Sequence, residues 1–372
     1  MDSGGPGAMS ATKIPVLLMA RELHIGGSER QMTEMAKHLD RSVFAPHVGC
    51  FRPAGVRGDE LRDCGVSIVQ FPVYSYRSFS ALSEARRLAR YIRANGIQVV
   101  HTWDYPLNVY AIPIARMMTS AIAISSQRSH RDLIPAGYRR LTKLSDRMSH
   151  AVVANCEYIR RHLIDEHVPE EKIRVCYNGI DLDRFRRLAA PAHPLTIGVV
   201  CALRSEKDLI TLIDAFALVR DSAPALRLVI VGSGDQLPAL ESRAREAGLG
   251  AQCHFEPATS NIPEWLSKID IFVLPSRSEA LSNSLMEAMA CGCCVVASEV
   301  GGNPELVRNG ETGMSFRAGD PTSLAGVLRA VIQNPTVRAR LVETGERFIR
   351  ANFSVGAAAA RMGEIYLGLC KR

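Results

Sequence analysis

The sequence predicts an α/β protein built from two Rossmann-like domains whose parallel sheets face each other across a cleft. Three observations carry that expectation. Short apolar, β-branched runs alternate with helical patterns along the chain, as strand–helix units of a parallel sheet require. The alternation breaks once, at the Pro/Ala-rich stretch "RRLAAPAHPL", and then restarts. At 372 residues the chain is long enough for two separate cores.

In order, strands are expected at "IPVLLMA", "APHVGCF", "VSIVQFP", "IQVVHTW", "IAISSQ", "HAVVANC" and "IRVCYNG". Helices fall between them, among them "SERQMTEMAKHLD" and "SALSEARRLARYIRAN". After the break the strands are "TIGVVCAL", "LRLVIVG", "QCHFEPA", "IDIFVLP" and "CCVVASEV". The division is a first domain over 12–190 and a second over 191–354, with the hinge near 188–196. The amphipathic terminal helix, 355–372, is expected to pack back across the first domain. In such open sheets ligands bind at the carboxyl ends of strands, so the site belongs in the cleft between the domains.

Composition narrows the class. At 47% apolar and 22% charged residues, the chain reads as an ordinary globular protein. The leading "MDSGGPGAMSATK" reads as a disordered leader or cloning remnant. The run after it spans seven residues without a basic n-region, which suits a strand and not a signal peptide. No segment approaches the roughly 20 apolar residues that span a bilayer, so a cytoplasmic protein is expected. Ten scattered cysteines, including Cys291, Cys293 and Cys294, fit buried thiols in a reducing compartment. Residues 1–190 hold 27 Lys/Arg against 19 Asp/Glu, a balance of +8, and the remainder is at −1. A basic first half suggests an anionic acceptor or the inner face of an anionic membrane. Nucleic acid is disfavoured, because no aromatic-plus-basic module accompanies the charge.

Candidate chemistry lies at strand ends. "HIGGSER" sets Gly26 and Gly27 at the opening of a helix, where backbone N–H groups meet phosphates. "VGSGDQL" offers a second such turn at Gly232, though neither turn completes a dinucleotide fingerprint. "ALRSEKD" places Arg204 and Lys207 after the first strand of the second domain, as candidates to clamp a diphosphate leaving group. Asp181 and Asp183 form an Asp-x-Asp, but they follow the "YNG" turn near the domain boundary, so no metal role is expected. The stretch "RSEALSNSLMEAMACG" opens a helix at Ser282 or Asn283 and buries Glu287 among apolar residues. A carboxylate there suits the vicinal diol of a ribose, and Glu279 stands nearer the other end of the ligand. Diol, diphosphate and a further polar group together describe a nucleotide sugar.

At these residues the chain resembles the family-four retaining glycosyltransferases of the GT-B fold. The likeness runs from about residue 14 and rests on "HIGGSERQ", "QVVHTW", "VVANCEYIRRHLI", "KIRVCYNGIDLDRF", "LRSEKDLITLIDAF", "IVGSGDQLPAL", "PSRSEALSNSLMEAMACG" and "VASEVGGNPELVRNGETG". The resemblance implies metal-independent transfer with retention at the anomeric carbon and no cofactor beyond the nucleotide-sugar donor. Glu287 would hold the donor ribose and Glu279 the donor sugar's hydroxyls. Backbone amides of Gly26, Gly27 and Ala280 to Ser284, hence Leu281, Ser282 and Asn283, would contact sugar and diphosphate. Where the family commonly has Gly-Arg, this chain has Cys201-Ala202, with Arg204 as a substitute. The first-domain slot often filled by histidine aligns with Arg128, with His130 as the alternate. The resulting expectation is a UDP-sugar donor and a glycan or polyprenyl-linked acceptor in polysaccharide assembly. A sugar-nucleotide epimerase and a non-catalytic scaffold of the same fold are the competing readings.

Overall fold

The computed structural model describes residues 13–371 except 25, 190–192 and 224. The leader and the central part of the expected hinge therefore lie outside the described residues.

The first sheet contains β1 (Ile14–Glu22), β2 (Phe44–Arg52), β3 (Ser67–Gln70), β4 (Val99–Thr102), β5 (Ile122–Gln127), β6 (Ala151–Ala154) and β7 (Ile173–Val175). Its order is β3-β2-β1-β4-β5-β6-β7, and every pairing is parallel. The second contains β8 (Thr196–Val200), β9 (Arg227–Val231), β10 (Cys253–Glu256), β11 (Ile271–Leu274), β12 (Cys294–Ser298) and β13 (Met314–Phe316). Its order is β10-β9-β8-β11-β12-β13, again parallel throughout. Central strands such as "VVHT", "IFVL" and "CVVAS" are buried along their whole length, because helices cover both faces. β13 is a finding beyond the sequence reading: three residues inside a Gly-rich loop carry no period to detect.

Both sheets reverse strand order once, between β1 and β4 and between β8 and β11. Such a switch point leaves a crevice at the carboxyl edge, where adjacent connections leave to opposite faces. Seven helices shape the cleft and its surroundings: α1 (Gly27–His38), α2 (Phe79–Ala94), α3 (Tyr105–Met118), α4 (Ala136–Met148), α5 (Glu157–Asp165), α6 (Asn283–Ala290) and α7 (Val355–Cys370).

α7 starts at Ser354, whose side chain accepts from the Ala357 amide at 3.1 Å. It buries Ala359, Met362, Ile365 and Tyr366 with residues of β1, β2 and α1 in the first-domain core. Gly363 lets the helix approach Phe44, whose ring stands 3.1 Å from where a Cβ would be. The last helix of the chain thus completes the first core.

Candidate active site between the domains

Around the first switch point, the turns after β1, β4 and β5 enclose a cavity of about 510 Å³. Gly26, Gly27 and Ser28 at the start of α1 form one wall, Asp104 and Tyr105 another, and Arg128 a third. Arg204 reaches it from the second domain. Gly26 is the N-cap of α1, and no side chain caps that end. The Glu29 carboxylate folds back against Gly26 and accepts from its own amide, which leaves the amides of Gly27 and Ser28 to a ligand or water.

Arg128 defines the electrostatics. Its guanidinium lies over the Trp103 ring at 3.9 Å and donates to Asn178 Oδ1 at 2.6 Å. Burial pushes its pKa down to about 10, and no carboxylate pairs with it among the described residues. Its Nε is buried without a hydrogen-bond partner. A half-buried cation in this state would be stabilised by an anion entering the cavity.

Three carboxyls line the same space: Glu22 pairs with Arg21 at 2.6 Å, and the other two, Asp104 and Glu29, are shifted by burial. Asp104 caps α3 by accepting from the Leu107 amide at 3.0 Å, and also accepts from the Arg21 amide at 2.6 Å. Burial nevertheless pushes its pKa up to about 6, against those two hydrogen bonds. Glu29 is likewise raised, by burial. Neither stands out in the sequence, where each reads as an ordinary first-turn or capping acid.

At the second switch point, Lys207 follows β8 and Glu279 follows β11. Their side chains meet at 2.5 Å across the crevice, and Ser276 Oγ donates to the same Glu279 oxygen at 2.8 Å. Burial works against the Lys207 charge, but Glu279 outweighs it and the ammonium pKa is raised. A strap passes over this pair. Gly301, at φ +57°, would put a Cβ 1.8 Å from the Glu279 carbonyl oxygen, and Gly302 one 2.1 Å from that of Ala280. Only glycine fits there, which explains the "GG" of "GGNPE".

α6 opens at Ser282, not Asn283: the Ser282 hydroxyl accepts from the Leu285 amide at 3.3 Å. Asn283 is turned to the first domain instead. Its Oδ1 accepts from Asn178 at 2.9 Å and from Gln31 at 3.2 Å, and its amide nitrogen sits 3.0 Å from where Gly27 would carry a Cβ. One turn on, Glu287 is 4% exposed and forms an ion pair with Arg30 of α1. Here the buried carboxylate has a protein partner from the opposite domain, which sequence reasoning did not find. Arg30 lies on a first-domain helix 257 residues away, beyond any local signal.

The expected site residues thus fall into linked groups. Gly26, Gly27, Arg128 and Arg204 share the cavity, and Asn178 and Asn283 tie Arg128 to α6. Lys207 and Glu279 form the pair beside it. Leu281 is buried and offers its carbonyl to Asn178 at 3.5 Å, while Ser284 bonds Ser282 at 3.0 Å. Two residues stand apart. His130 is not in the cavity wall: its ring packs on His162 at 4.1 Å and its Nδ1 faces Asp132 at 3.2 Å. Gly232 is pressed against the Cys201 carbonyl, 1.9 Å from where a Cβ would stand, a contact that packs the β9 turn on the β8 turn. Asp181 Oδ1 accepts from the amides of Asp183 and Arg184 at 3.0 and 3.1 Å, a local turn cap.

Comparison with known proteins agrees with this geometry. The family model described as Glycosyl transferases group 1 matches residues 182–348, and that described as Glycosyltransferase Family 4 matches 25–184. The chain belongs to the family-four glycosyltransferases. Its GT-B fold is shared with HepE of Anabaena, crystallised with UDP and glucose, at TM-score 0.85 and 20% identity, covering 95% of this chain and 100% of that one. Sucrose-phosphate synthase from Thermosynechococcus elongatus superposes at 0.82 with 18% identity, over 96% and 99% of the two chains. Among curated family members, the D-inositol 3-phosphate glycosyltransferase of Thermomonospora curvata is 29% identical over 72% of this chain and 67% of its own length. The corresponding Streptomyces coelicolor enzyme is 28% identical, and this chain spans 57% of it. A Mycobacterium tuberculosis GDP-mannose-dependent α-(1-6)-phosphatidylinositol monomannoside mannosyltransferase is 27% identical over 88% and 89%.

Proposed function

We propose that this protein transfers a sugar from a nucleoside-diphosphate sugar, UDP-linked, to a glycan or lipid-linked saccharide, with retention and without a metal ion. The observation that carries the reading is the convergence of the α1 N-terminus, Arg128 and Arg204 on one cavity between the domains. Those groups suit a diphosphate, whose leaving charge they stabilise electrostatically. Glu287, within one turn of the α6 cap, is then the ribose acceptor, and Arg30 yields it when the donor enters. Glu279, held by Lys207 and Ser276, addresses the donor sugar. The leaving phosphate takes the acceptor's proton on the same face, which gives retention. The basic first half supports action at the inner face of an anionic membrane.

Calorimetry with UDP, GDP and their sugar conjugates, followed by transfer assays with labelled donor, tests the reading. UDP is expected to bind more tightly than GDP, and EDTA to leave turnover intact. A preference for GDP overturns the assignment of the nucleotide, and turnover lost to EDTA and restored by manganese overturns metal independence. Binding to anionic vesicles is expected to fall with salt. Equal binding to neutral vesicles overturns the membrane part.

A further inference from the structure

Beside the cleft a second groove of about 610 Å³ runs along the first domain, sharing Arg21, Tyr105 and Pro106 with the donor cavity. Its walls are aromatic and cationic. Tyr76, Tyr105 and Tyr138 form a contiguous set, with Tyr138 5.8 Å from Tyr105 and 6.0 Å from Tyr76 between ring centroids. Arg52 and Arg77 line the same groove, Arg52 with its guanidinium 5.9 Å from the Tyr74 ring centroid. Arg77 has no carboxylate partner among the described residues, and the nearest for Arg52 is Glu22 at 3.9 Å. Beyond Tyr76 the chemistry changes again. A channel of about 180 Å³, for which Tyr76 is the shared wall, is lined by Ala81, Leu82, Ala85, Val109 and Ile114, with no charged group. At the start of the helix that flanks it, Phe79 is 93% exposed, and Leu82 one turn on is 59% exposed.

The order along this track is polar cavity, aromatic and arginine groove, apolar channel, exposed apolar rim. That is the order of parts in a saccharide joined through phosphate to a hydrocarbon chain. We propose that the groove binds the phosphate of a lipid-linked acceptor against Arg52 and Arg77, with the saccharide directed into the cleft. The hydrocarbon then leaves past Tyr76 along the channel toward Phe79 and Leu82. Tyrosine faces suit sugar rings, and guanidinium groups suit phosphate oxygens. The inference rests on the glycosyltransfer reading for what occupies the cleft, but the groove's own chemistry is tested separately.

The probe is farnesyl diphosphate, titrated calorimetrically into the full chain with saturating UDP present to occupy the donor cavity. Inorganic diphosphate and farnesol are the comparison arms. Farnesyl diphosphate is expected to bind more tightly than either. The double variant Arg52→Gln with Arg77→Gln is expected to weaken it about tenfold or more, on the scale of losing a charge-assisted hydrogen bond. Leu82→Glu is expected to weaken farnesyl diphosphate while leaving inorganic diphosphate unchanged. The three substituted residues lie at the surface, so thermal unfolding and UDP affinity are expected to match wild type. No binding of farnesyl diphosphate, or binding indifferent to both sets of substitutions, overturns the proposal even where UDP binds normally. Farnesyl diphosphate bound through Arg52 and Arg77 in a protein that binds no nucleotide supports the groove and overturns the donor reading.

Discussion

Residue chemistry separates the two glutamates of α6 and its approach. A ribose is unchanged during transfer, so contacts to Glu287 are alike in ground and transition states and appear in donor KM. Glu279 addresses the reacting sugar, so its loss appears in kcat. Glu287→Gln is expected to raise donor KM and weaken UDP about ten- to a hundredfold, the scale of hydrogen bonds to a charged acceptor. Glu279→Gln is expected to depress kcat with UDP affinity near wild type. If calorimetry shows UDP weakened more by Glu279→Gln, the roles are reversed. Asp104 makes a pH prediction. Its folded pKa of about 6 lies above the ordinary 3.8, so the folded state binds that proton more tightly. The contribution to stability is therefore fully present below about pH 4 and is lost as pH rises through about 6. The difference corresponds to roughly 3 kcal/mol. Asp104→Asn is expected to flatten the stability change across that pH window in urea titrations. An unchanged slope would show that the carboxyl ionises normally.

At the scale of elements, one helix cap is supplied by the other domain. The first amides of α5, those of Glu157 and Tyr158, donate to the Glu305 carboxylate at 3.0 and 2.8 Å. The Tyr177 hydroxyl donates to it at 2.9 Å. Glu305 belongs to "GGNPE", the same strap whose glycines press on the backbone of Glu279 and Ala280, so its cap links the donor-side loop to the first domain. Glu305→Gln keeps the shape and loses the charge that suits a helix N-terminus. About 1 kcal/mol of stability is expected to go, within the range of cap substitutions. Hydrogen exchange is expected to quicken at the amides of Glu157 and Tyr158. Exchange unchanged there would mean water replaces the cap at no cost.

Across the whole molecule, the domains are joined by a buried ion pair, Arg30 with Glu287, in which both side chains are nearly covered. Removing one partner of such a pair strands a charge and costs roughly 3–5 kcal/mol, whereas replacing both by apolar residues is often neutral. Arg30→Met is expected to destabilise on that scale in urea titration, and Arg30→Met with Glu287→Met to recover most of the loss. Additive losses in the double variant would show that the pair does not couple the domains. α7 works at the same scale, since Met362 and Tyr366 from the end of the chain are fully buried in the first-domain core.

Twelve of the thirteen strands, their parallel pairing and the placing of Gly26, Lys207 and Glu279 at strand ends were determined by the sequence itself. The reason is local: a strand buried on both faces must be apolar along its length, and a turn that approaches a neighbouring backbone must be glycine. What the tertiary structure decided is which charges meet. Glu287 with Arg30, Glu305 with the amides of α5, and Arg128 with the Trp103 face are contacts between residues from separate turns or opposite domains. No period or motif reports them, because each depends on two sheets converging at their carboxyl edges. Arg128 rather than His130 enters the cavity for the same reason. The chain after β5 turns His130 back onto α5, where His162 receives it, and leaves the arginine facing the cleft.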